Sequence, residues 1–375
     1  EYDAAGRVTA VVDALGRRTS YGYDAADRPI LTTFPGGTTS STTYDEAGNV
    51  ATTTDQAGRT TTYEYDALDR LVKTIQPDGT STSTVYTPGG LVSATIDARG
   101  GVTDYVYDSA GRATTVLSPA VPNGISGTMA RPTVVSALDG AGRPTTVTDP
   151  VGHQTSYQYD AAGRPTRITF ADGSFVTQAF DVLGRRTSVT NEEGQSTTFT
   201  YDALGRLVAV HGLTGDATYA YDVAGNLVNR TDALGRITRI DYDVLGRPVK
   251  RTYPLGETEV LSYDAVGNVI SSTDPKGQTT TLTYDVMNRL VTRSLSDATV
   301  ETLTYTPDGR RASVVDARGT TSWFYDPQGR VSVVSQPTGE TITYGRDANG
   351  NVLSLASPSA TVGYAYDALD RMRDV

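Results

Sequence analysis

The sequence predicts an all-β protein: a continuous array of about 18 β-hairpins that winds as a single-layer sheet into a hollow shell or tube. The first observation behind this prediction is a Tyr-Asp pair, or a close variant, that returns through the 375 residues at intervals of 20 or 21 residues, with one interval of 31. The second is that each interval holds two short segments rich in Thr, Tyr and Val, separated by turn residues. A fixed period of this size is typical of repeat proteins, in which each unit buries surface only against its neighbours. The registers stand at positions 2, 23, 44, 65, 86, 107, 138, 159, 180, 201, 221, 242, 263, 284, 305, 325, 346 and 366.

One repeat, residues 65–86, shows the predicted elements in order. Tyr65 and Asp66 end one strand and begin a tight turn, and residues 71–75 are rich in β-forming side chains. Residues 76–79 read Gln-Pro-Asp-Gly, which favours a second turn. Residues 80–86 predict a second strand. Each repeat is therefore predicted to be two short strands and two turns that continue into the next repeat as a meander.

The turn after each register has one position with a narrow choice of residue. Four residues after the register the chain carries Gly in fourteen cases, Asp in three and Asn in one. These residue types tolerate a positive φ, so we expect a left-handed residue to close a hairpin turn at every register, as at Gly163 and Gly205. The residue directly after the register is Asp in sixteen cases, with Thr87 and Thr306 as the exceptions. Either side chain can accept hydrogen bonds from N–H groups of the turn.

The fifth residue after the register is Arg in thirteen cases. Stacked repeats would place these guanidinium groups near Asp and Tyr side chains of adjacent units, where they can pair with a carboxylate or lie on a ring. Exposed pairs of this kind contribute at most about 1 kcal/mol each, so we interpret them as setting the register between repeats. We assign this structural turn-and-ladder role to Tyr65, Asp66, Tyr159, Asp160, Gly163, Arg164, Tyr201, Asp202, Gly205 and Arg206.

The second strand of many repeats carries aromatic residues at a spacing of two, for example Tyr63 and Tyr65, or Phe199 and Tyr201. This spacing places both rings on one face of the strand. The remaining positions are mostly Thr, Ser and Val, which predicts a thin wall rather than a thick two-layer core. Because long sheets twist and coil, we expect the strip to wind.

The unit Y-D-x-x-G-R, present at residues 2–7, 159–164 and 201–206, resembles the Rhs or YD repeat. That family includes bacterial Rhs polymorphic toxins, wall-associated proteins, the B and C components of insecticidal Tc toxins, and the teneurins of animals. The resemblance covers essentially the whole chain and implies a large β-shell that spirals around a hollow interior. In the toxins such a shell encloses a C-terminal effector, whereas in teneurins it supports cell-surface adhesion.

In the toxin branches the resemblance also implies a segment of pattern P-x-x-x-x-D-P-x-G, which closes the shell and releases the effector by Asp chemistry. Residues 144–152 match that pattern literally. We interpret the match as ordinary repeat sequence, because Pro144 follows a turn Arg as Pro165 does and Asp149 stands at the second turn of its repeat. More than two hundred residues of further repeats follow it. We therefore expect the closing segment and the effector to lie outside these 375 residues.

Composition and single residues argue against several other functions. The net charge of −11 disfavours nucleic acid as a partner, and no apolar run is long enough to predict a membrane span. His153 and His211 stand at turns, where we interpret them as solvated residues rather than general bases. The Asp-rich turns are interpreted as hydrogen-bonded turns rather than Ca²⁺ sites. We expect no catalytic residue, no metal, no cofactor and no enzymatic activity.

The domain prediction is one array over residues 1–375, a fragment of a longer protein, with a loop insertion between repeats at 118–137. This stretch is the one interval that exceeds a normal repeat, and its Pro and Gly residues are typical of loops. We interpret it as a tolerated surface insertion, with contact to a partner or cargo as the alternative.

The sequence thus predicts the structural shell of a large secreted bacterial protein that encapsulates a C-terminal toxin effector. Its partners would be the shell-closing segment and the effector of its own polypeptide. The alternative is an extracellular or cell-surface scaffold for adhesion or filament formation, without cargo. In that case a cell-surface or carbohydrate partner is expected, and the regular aromatic residues could form a sugar-binding strip.

Overall fold

The computed structural model describes residues 1–122 and 128–375, and its regular elements are all β-strands. The strands are β1 (Ala10–Val12), β2 (Arg18–Tyr23), β3 (Pro29–Thr33), β4 (Thr39–Tyr44), β5 (Val50–Thr54), β6 (Thr60–Tyr65), β7 (Leu71–Ile75), β8 (Ser81–Tyr86), β9 (Val92–Ile96), β10 (Val102–Tyr107), β11 (Ala113–Leu117), β12 (Val121–Pro122), β13 (Met129–Ala130), β14 (Thr133–Leu138), β15 (Pro144–Thr148), β16 (Gln154–Tyr159), β17 (Pro165–Thr169), β18 (Phe175–Phe180), β19 (Arg186–Thr190), β20 (Ser196–Tyr201), β21 (Leu207–Gly212), β22 (Gly215–Tyr221), β23 (Leu227–Thr231), β24 (Ile237–Tyr242), β25 (Pro248–Thr252), β26 (Thr258–Tyr263), β27 (Val269–Thr273), β28 (Thr279–Tyr284), β29 (Leu290–Ser294), β30 (Val300–Tyr305), β31 (Arg311–Asp316), β32 (Gly319–Tyr325), β33 (Val331–Ser335), β34 (Thr341–Arg346), β35 (Val352–Ala356), β36 (Thr361–Gly363), β37 (Ala365–Tyr366) and β38 (Met372–Asp374).

Thirty-four of these strands form one antiparallel sheet. Strands β1 to β11 and β14 to β36 pair with their neighbours in chain order, and β11 pairs with β14 across the inserted segment. Strands β12 and β13 form a separate pair, as do β37 and β38. Short hydrogen-bonded hairpins follow one another without a crossover, as expected for strands joined by tight turns.

The connections alternate between the two edges of the sheet. We call the five residues that begin with the register Asp or Thr a YD turn, for example Asp160–Arg164, and these turns lie along one edge. The turns within each repeat, such as residues 149–153, lie along the other edge, and we call them return turns. From the second YD turn onward, each is followed by a β-bulge: Tyr159 pairs with Pro165, whereas Gln158 pairs with Arg167.

The sheet is a single layer with little buried interior. Among the described residues, the buried hydrophobic side chains are Ala10, Ala94, Val121, Leu303 and Val334. Most strand residues are half-buried or exposed on both faces. Stability must therefore come mainly from strand pairing and from contacts along the wall, since no second layer within residues 1–122 and 128–375 covers either face.

The sheet winds back on itself. Side chains of the first five repeats contact side chains that lie 248 to 271 residues later in the chain. In each case a return turn of the first winding meets a YD turn of the second winding. We call this line of contact, between return turns of residues 13–101 and YD turns of residues 285–370, the seam. The prediction of an all-β, single-layer sheet that winds is confirmed.

The inserted segment begins and ends at one point of the sheet. The Ser118 N–H donates to the carbonyl oxygen of Pro132 at 2.9 Å, and Thr133–Leu138 is already a strand of the main sheet. Arg131 fastens the base, because its guanidinium donates to the carbonyl oxygens of Val102 and Leu117, both at 2.8 Å. Residues 123–127, which include Asn123, Gly124 and Gly127 of the predicted loop, lie outside the described residues. The assignment of 118–137 as a loop insertion stays a prediction.

Candidate functional site: the turn, the ladder and the seam

The YD turn is organised by its first residue. In the repeat at 159, one oxygen of Asp160 accepts the N–H groups of Ala162 and Arg164 at 2.9 and 3.0 Å. The Gly163 N–H donates to the carbonyl oxygen of Asp160 at 3.0 Å, and Gly163 has φ 83°. The Asp side chain therefore satisfies turn N–H groups that no strand partner can reach, and the left-handed residue lets the chain reverse.

Arg164 connects this turn to the next repeat. Its Nε donates to the second oxygen of Asp160 at 2.7 Å, and its Nη1 donates to the carbonyl oxygen of Asp181 at 3.1 Å. The guanidinium lies 4.8 Å from the ring centre of Phe180. The carboxylate partner thus belongs to the same turn, whereas the ring belongs to the following repeat. The sequence alone had suggested adjacent units for both partners.

The register Tyr connects the repeat in the opposite direction. The Tyr159 hydroxyl donates to the carbonyl oxygen of Pro144, 15 residues earlier, at 2.8 Å. Burial raises the pKa of the Tyr159 hydroxyl, so the group stays protonated as a donor. The same bond, at a separation of 14 or 15 residues, is made by Tyr23, Tyr44, Tyr65, Tyr86, Tyr107, Tyr201, Tyr221, Tyr242, Tyr263, Tyr284, Tyr305 and Tyr325.

The other assigned residues repeat this arrangement. Asp66 pairs with Arg70 at 2.6 Å, and Arg70 lies 4.4 Å from the Tyr86 ring centre. Asp202 pairs with Arg206 at 2.7 Å, and Arg206 lies 4.7 Å from the Tyr221 ring centre. Chemically, the arrangement binds consecutive repeats to one another through a carboxylate, a guanidinium, a ring and a phenol hydroxyl. We call this series of Asp, Arg and Tyr contacts along the sheet the ladder.

A Thr at the first position of the YD turn can replace the Asp as the acceptor of a turn N–H group. Thr87 Oγ1 accepts the Leu91 N–H at 3.1 Å, and Thr306 Oγ1 accepts the Arg310 N–H at 3.0 Å. A hydroxyl has no charge with which to hold the following Arg. In keeping with this, position 91 is Leu, and Arg310 turns instead to Asp308.

The fourth turn residue is left-handed in all eighteen YD turns, with φ between 58° and 97°. Four of these residues are not Gly, and each accepts a hydrogen bond from the last turn residue of the preceding repeat. The pairs are Arg7 to Asp27 at 2.6 Å, Asn49 to Asp69 at 2.9 Å, Asn268 to Asn288 at 2.7 Å and Asn351 to Asp370 at 2.6 Å. Three of the four Asn residues at the last turn position therefore precede a repeat whose left-handed residue is not Gly. Each of them hydrogen-bonds to the side chain of that strained residue.

The turn carboxylates are held in their charged form. The backbone N–H of Arg164 lowers the pKa of Asp160; partial desolvation opposes this effect, and the Arg164 side chain lowers the pKa further. The pKa of Asp202 is lowered by the corresponding groups of Arg206. For Asp66 the Arg70 side chain is the largest cause of the lowered pKa. These turns are consequently arranged to be ionic at neutral pH.

The seam is the second structured site, and Arg59 is one of its enclosed cations, with 16% side-chain exposure. In its own return turn Arg59 pairs with Asp55 at 2.6 Å, and it also pairs with Asp308 of the second winding. Asp308 is only 9% exposed at its side chain. Burial raises the pKa of Asp308, but bonds from Thr306 and Arg59 and the charge of Arg310 lower it, and the net pKa lies below its ordinary value.

Polar contacts extend along the rest of the seam. Arg17 Nη2 donates to the side-chain oxygen of Asn288 at 2.8 Å, and Gln328 donates to the Thr80 hydroxyl at 2.7 Å. Arg99 pairs with Asp347 at 3.1 Å. Asn349 donates to Asp97 at 3.1 Å and accepts the backbone N–H of Arg99 at the same distance.

Sequence reasoning missed the seam, although the third residue of the YD turn carries a signal of it. That residue is Ala, Gly or a larger apolar side chain in the first fourteen repeats, and it becomes Asp308, Gln328 and Asn349 in the next three. All three polar side chains contact the first winding. A change of residue type at one position of an otherwise uniform array therefore marks an additional contact.

Of the residues considered for catalysis, Asp149 and His153 lie in an ordinary return turn, whereas His211, which the sequence placed at a turn, lies in strand β21 opposite Asp216. Asp149 Oδ1 accepts the N–H groups of Val151 and His153 at 3.0 and 2.8 Å, as the Asp of a YD turn does. His153 is 70% exposed at its side chain and lies 3.2 Å from Asp149. His211 lies 2.9 Å from Asp216, and both side chains are exposed. The segment that matches the closing motif thus contains strand β15 and a return turn in the middle of the sheet.

Neither a metal site nor a membrane-spanning helix is present in the described residues. Within residues 1–122 and 128–375, no group of three or more acidic or His side chains is arranged to hold a metal ion. In the same part of the chain, no helix is long and apolar enough to cross a lipid bilayer.

Comparisons with known proteins agree with this architecture. The family model described as RHS Repeat matches residues 2–39, 44–81, 139–174, 180–217, 221–258, 263–300, 305–341 and 325–362. A search of curated protein sequences gave no match.

Several solved structures are similar to the chain. The crystal structure of TcdB2-TccC3-Cdc42 superposes with a TM-score of 0.80 at 17% identity, over 95% of this chain and 23% of that one. The Tc holotoxin pore of Photorhabdus luminescens, with a substituted TccC3, gives 0.77 at 18% identity over 95% and 23%. The crystal structure of TcdB2-TccC3 gives 0.71 at 15% identity over 97% and 29%. The chain thus spans about a quarter of the length of the solved chains that it matches, and at these identities the likeness shows the fold.

The family model matches the repeats along the chain, and the solved structures match its fold. Since the matched segments cover most of the sequence, the chain belongs to the RHS-repeat family and is a structural scaffold with the RHS shell fold.

Proposed function

We propose that this chain is part of the wall of a hollow shell, secreted from a bacterium, that encloses a toxic C-terminal effector of its own polypeptide. The observation that carries the proposal is the seam. One winding takes about 250–270 residues, and the next winding is joined to it by ion pairs and hydrogen bonds. A single-layer sheet can separate an interior from solvent only if its windings are joined in this way.

The residue chemistry supports a wall rather than a catalyst. Arg and Tyr side chains of the ladder are engaged with neighbouring repeats. Asp149 and His153 belong to an exposed return turn, and His211 is an exposed strand residue. We infer that the chain has no catalytic role and requires no cofactor. Its charged side chains pair with one another and hold repeats and windings together.

The alternative, a cargo-free adhesion or filament scaffold, has no comparable support from the ladder. Guanidinium groups lie over many of the register rings, including Tyr159 and Tyr201. A sugar that stacks on an aromatic strip needs free ring faces, and at these rings a cation already covers one face.

Electron microscopy of the polypeptide as its gene encodes it tests the proposal. We expect closed particles with density inside them and, in a protease digest, protection of the region that follows the array. Open strips or filaments without internal density would instead support the scaffold.

A seam variant sharpens this test. Arg59→Glu places a negative charge against Asp308 and should expose the protected region to protease. Arg236→Glu is the matched control: Arg236 holds the same turn position and pairs with Asp232 at 2.7 Å. In the described part of the chain Arg236 contacts no acidic group of another winding. Protection in both variants would show that the Arg59–Asp308 pair is not needed to close the wall, and cleavage of this region in the unsubstituted protein would contradict an enclosed cargo.

A further inference from the structure

An uncovered apolar row lies on the YD-turn edge of residues 181–247. Its members are the Val and Leu side chains at the second and third positions of four consecutive YD turns: Val182, Leu183, Leu204, Val223, Val244 and Leu245. Leu204 is 79% exposed, and Val223 and Val244 are fully exposed. We call this row the apolar rim. Exposed apolar side chains that are contiguous along an edge are typical of an interaction surface.

The same edge is already covered further along the chain. The third residue of the YD turn is exposed in each of the first twelve repeats and partly covered in each of the last six. Contact with the first winding lowers the exposure of side chains on this edge. Val286 occupies the same turn position as Val244, yet it is 50% exposed, whereas Val244 is fully exposed. The apolar rim is therefore continuous with an edge that is an interface elsewhere in this chain.

The covered part of the edge also shows which partner fits which side chain. A polar third residue meets a charged or hydroxyl group, as Asp308 meets Arg59. An apolar third residue meets a small one: a Cβ placed on Gly36 would lie 3.6 Å from Met287 Cγ and 3.9 Å from Val286 Cγ2. The Leu and Val side chains of the apolar rim thus match return turns whose tips are Gly or apolar.

We propose that the apolar rim is the docking surface for the return turns of a further winding of RHS repeats in the same polypeptide. The partner chemistry is that of Gly36 and Leu15, which are small or apolar tips; the one carboxylate of the Leu15 turn, Asp13, is already paired with Arg17. The opposite edge of this chain presents further tips of this kind at Val151, Leu234 and Leu255, each largely exposed. The rim is a surface on which the turns of another winding pack. This proposal does not depend on whether the shell holds a cargo.

Single-Cys labelling tests the proposal, because the chain contains no native Cys. Val223→Cys reports on the rim, Val286→Cys on the covered edge, and Thr198→Cys on an exposed position in the middle of strand β20. Each variant is reacted with a maleimide-polyethylene glycol both in the 375-residue chain and in the polypeptide as its gene encodes it. We expect the reaction at Val223→Cys to be at least roughly tenfold slower in the longer polypeptide, as for a side chain in a closed interface. The rate at Thr198→Cys should be the same in both.

A photo-crosslinking residue at position 223 identifies the occupant. An adduct with a return turn outside residues 1–375 supports the proposal. Equal labelling of Val223→Cys in both proteins would overturn it. Labelling that slows with concentration in the 375-residue chain, with adducts between two chains, would also overturn it in favour of a second copy.

Discussion

Arg59 and Asp308 lie 249 positions apart in the sequence and form an ion pair across the seam. Both side chains are mostly enclosed, with 16% and 9% exposure. A pair in this setting is expensive to break, because the remaining charge has lost its water as well as its partner. It is therefore the contact through which the seam can be tested most directly.

We expect Arg59→Gln to loosen the seam by about 3 kcal/mol, the range found when one member of an enclosed ion pair is removed. Hydrogen exchange should accelerate at residues 306–310 of the second winding as well as at residues 55–59. Arg236→Gln removes the same bond within its own turn and should leave residues 306–310 unchanged. Exchange that responds equally to both variants would contradict the role of Arg59 between windings.

Gly205→Val should lower the stability of the folded chain much more than Ala203→Val does. Gly205 has φ 82°, a conformation that costs a non-Gly residue about 1–2 kcal/mol and a β-branched residue more. The penalty is conformational, because a Cβ at Gly205 would meet nothing closer than Arg185 Nη1 at 3.7 Å. Position 203 tolerates Val, as Val182 and Val223 show at the same turn position. Equal unfolding midpoints in urea would refute the turn assignment.

Tyr159→Phe should weaken the contact between its repeat and the preceding one by about 1 kcal/mol, the usual net worth of a hydrogen bond. The variant keeps the ring and removes only the bond to the carbonyl oxygen of Pro144. Tyr157→Phe is the control on the same face of strand β16, since within the described residues the Tyr157 hydroxyl has no hydrogen-bond partner. Faster amide exchange in residues 144–148 of the first variant alone is the expected result.

Asn49→Ala should destabilise its turn by about 1 kcal/mol more than Asn226→Ala does. Asn49 donates both to Asp45 and to Asp69, and Asp69 is left-handed with φ 58°. Asn226 donates to Asp222 in its own turn, and the next repeat has Gly246 at the left-handed position. The comparison is made by urea titration followed by local hydrogen exchange, and equal losses would mean that Asp69 needs no external partner.

Acid should open the YD turns that contain Asp before those that contain Thr. The pKa of Asp66 in the folded chain lies below its unfolded value of about 3.9, so the turn gains stability above that value and loses it as the pH falls through the folded pKa. The neighbouring turn at residues 87–91 has Thr87 in place of Asp and no carboxylate to titrate. Protection factors measured from pH 6 downwards should therefore fall at residues 66–70 and hold at residues 87–91. A parallel decline would exclude the carboxylates as the cause.

The sequence was sufficient for features that are local to one repeat. Gly163 and Asp160 could be placed in a turn because both requirements of the turn lie within five residues. One position needs a residue that tolerates a positive φ, and another needs a side chain that accepts hydrogen bonds from the turn N–H groups. The bond from Tyr159 to Pro144 was not predicted, because a strand pattern gives the face on which a ring lies and not the direction of its hydroxyl. The contact of Arg59 with Asp308 could not be predicted at all. It depends on the curvature added by each strand, and a small error per strand would move the partner by a whole turn.

The seam makes the number of repeats matter, although the repeats themselves are nearly interchangeable. If one repeat between Arg59 and Asp308 were deleted, every hairpin could still form, yet Arg59 would arrive opposite the neighbouring turn and meet Gln328. The ion pairs between windings would be lost together while the ladder remained intact. A chain of this kind can change its residues freely along the wall, but it can gain or lose repeats only where its windings have no specific partners to keep.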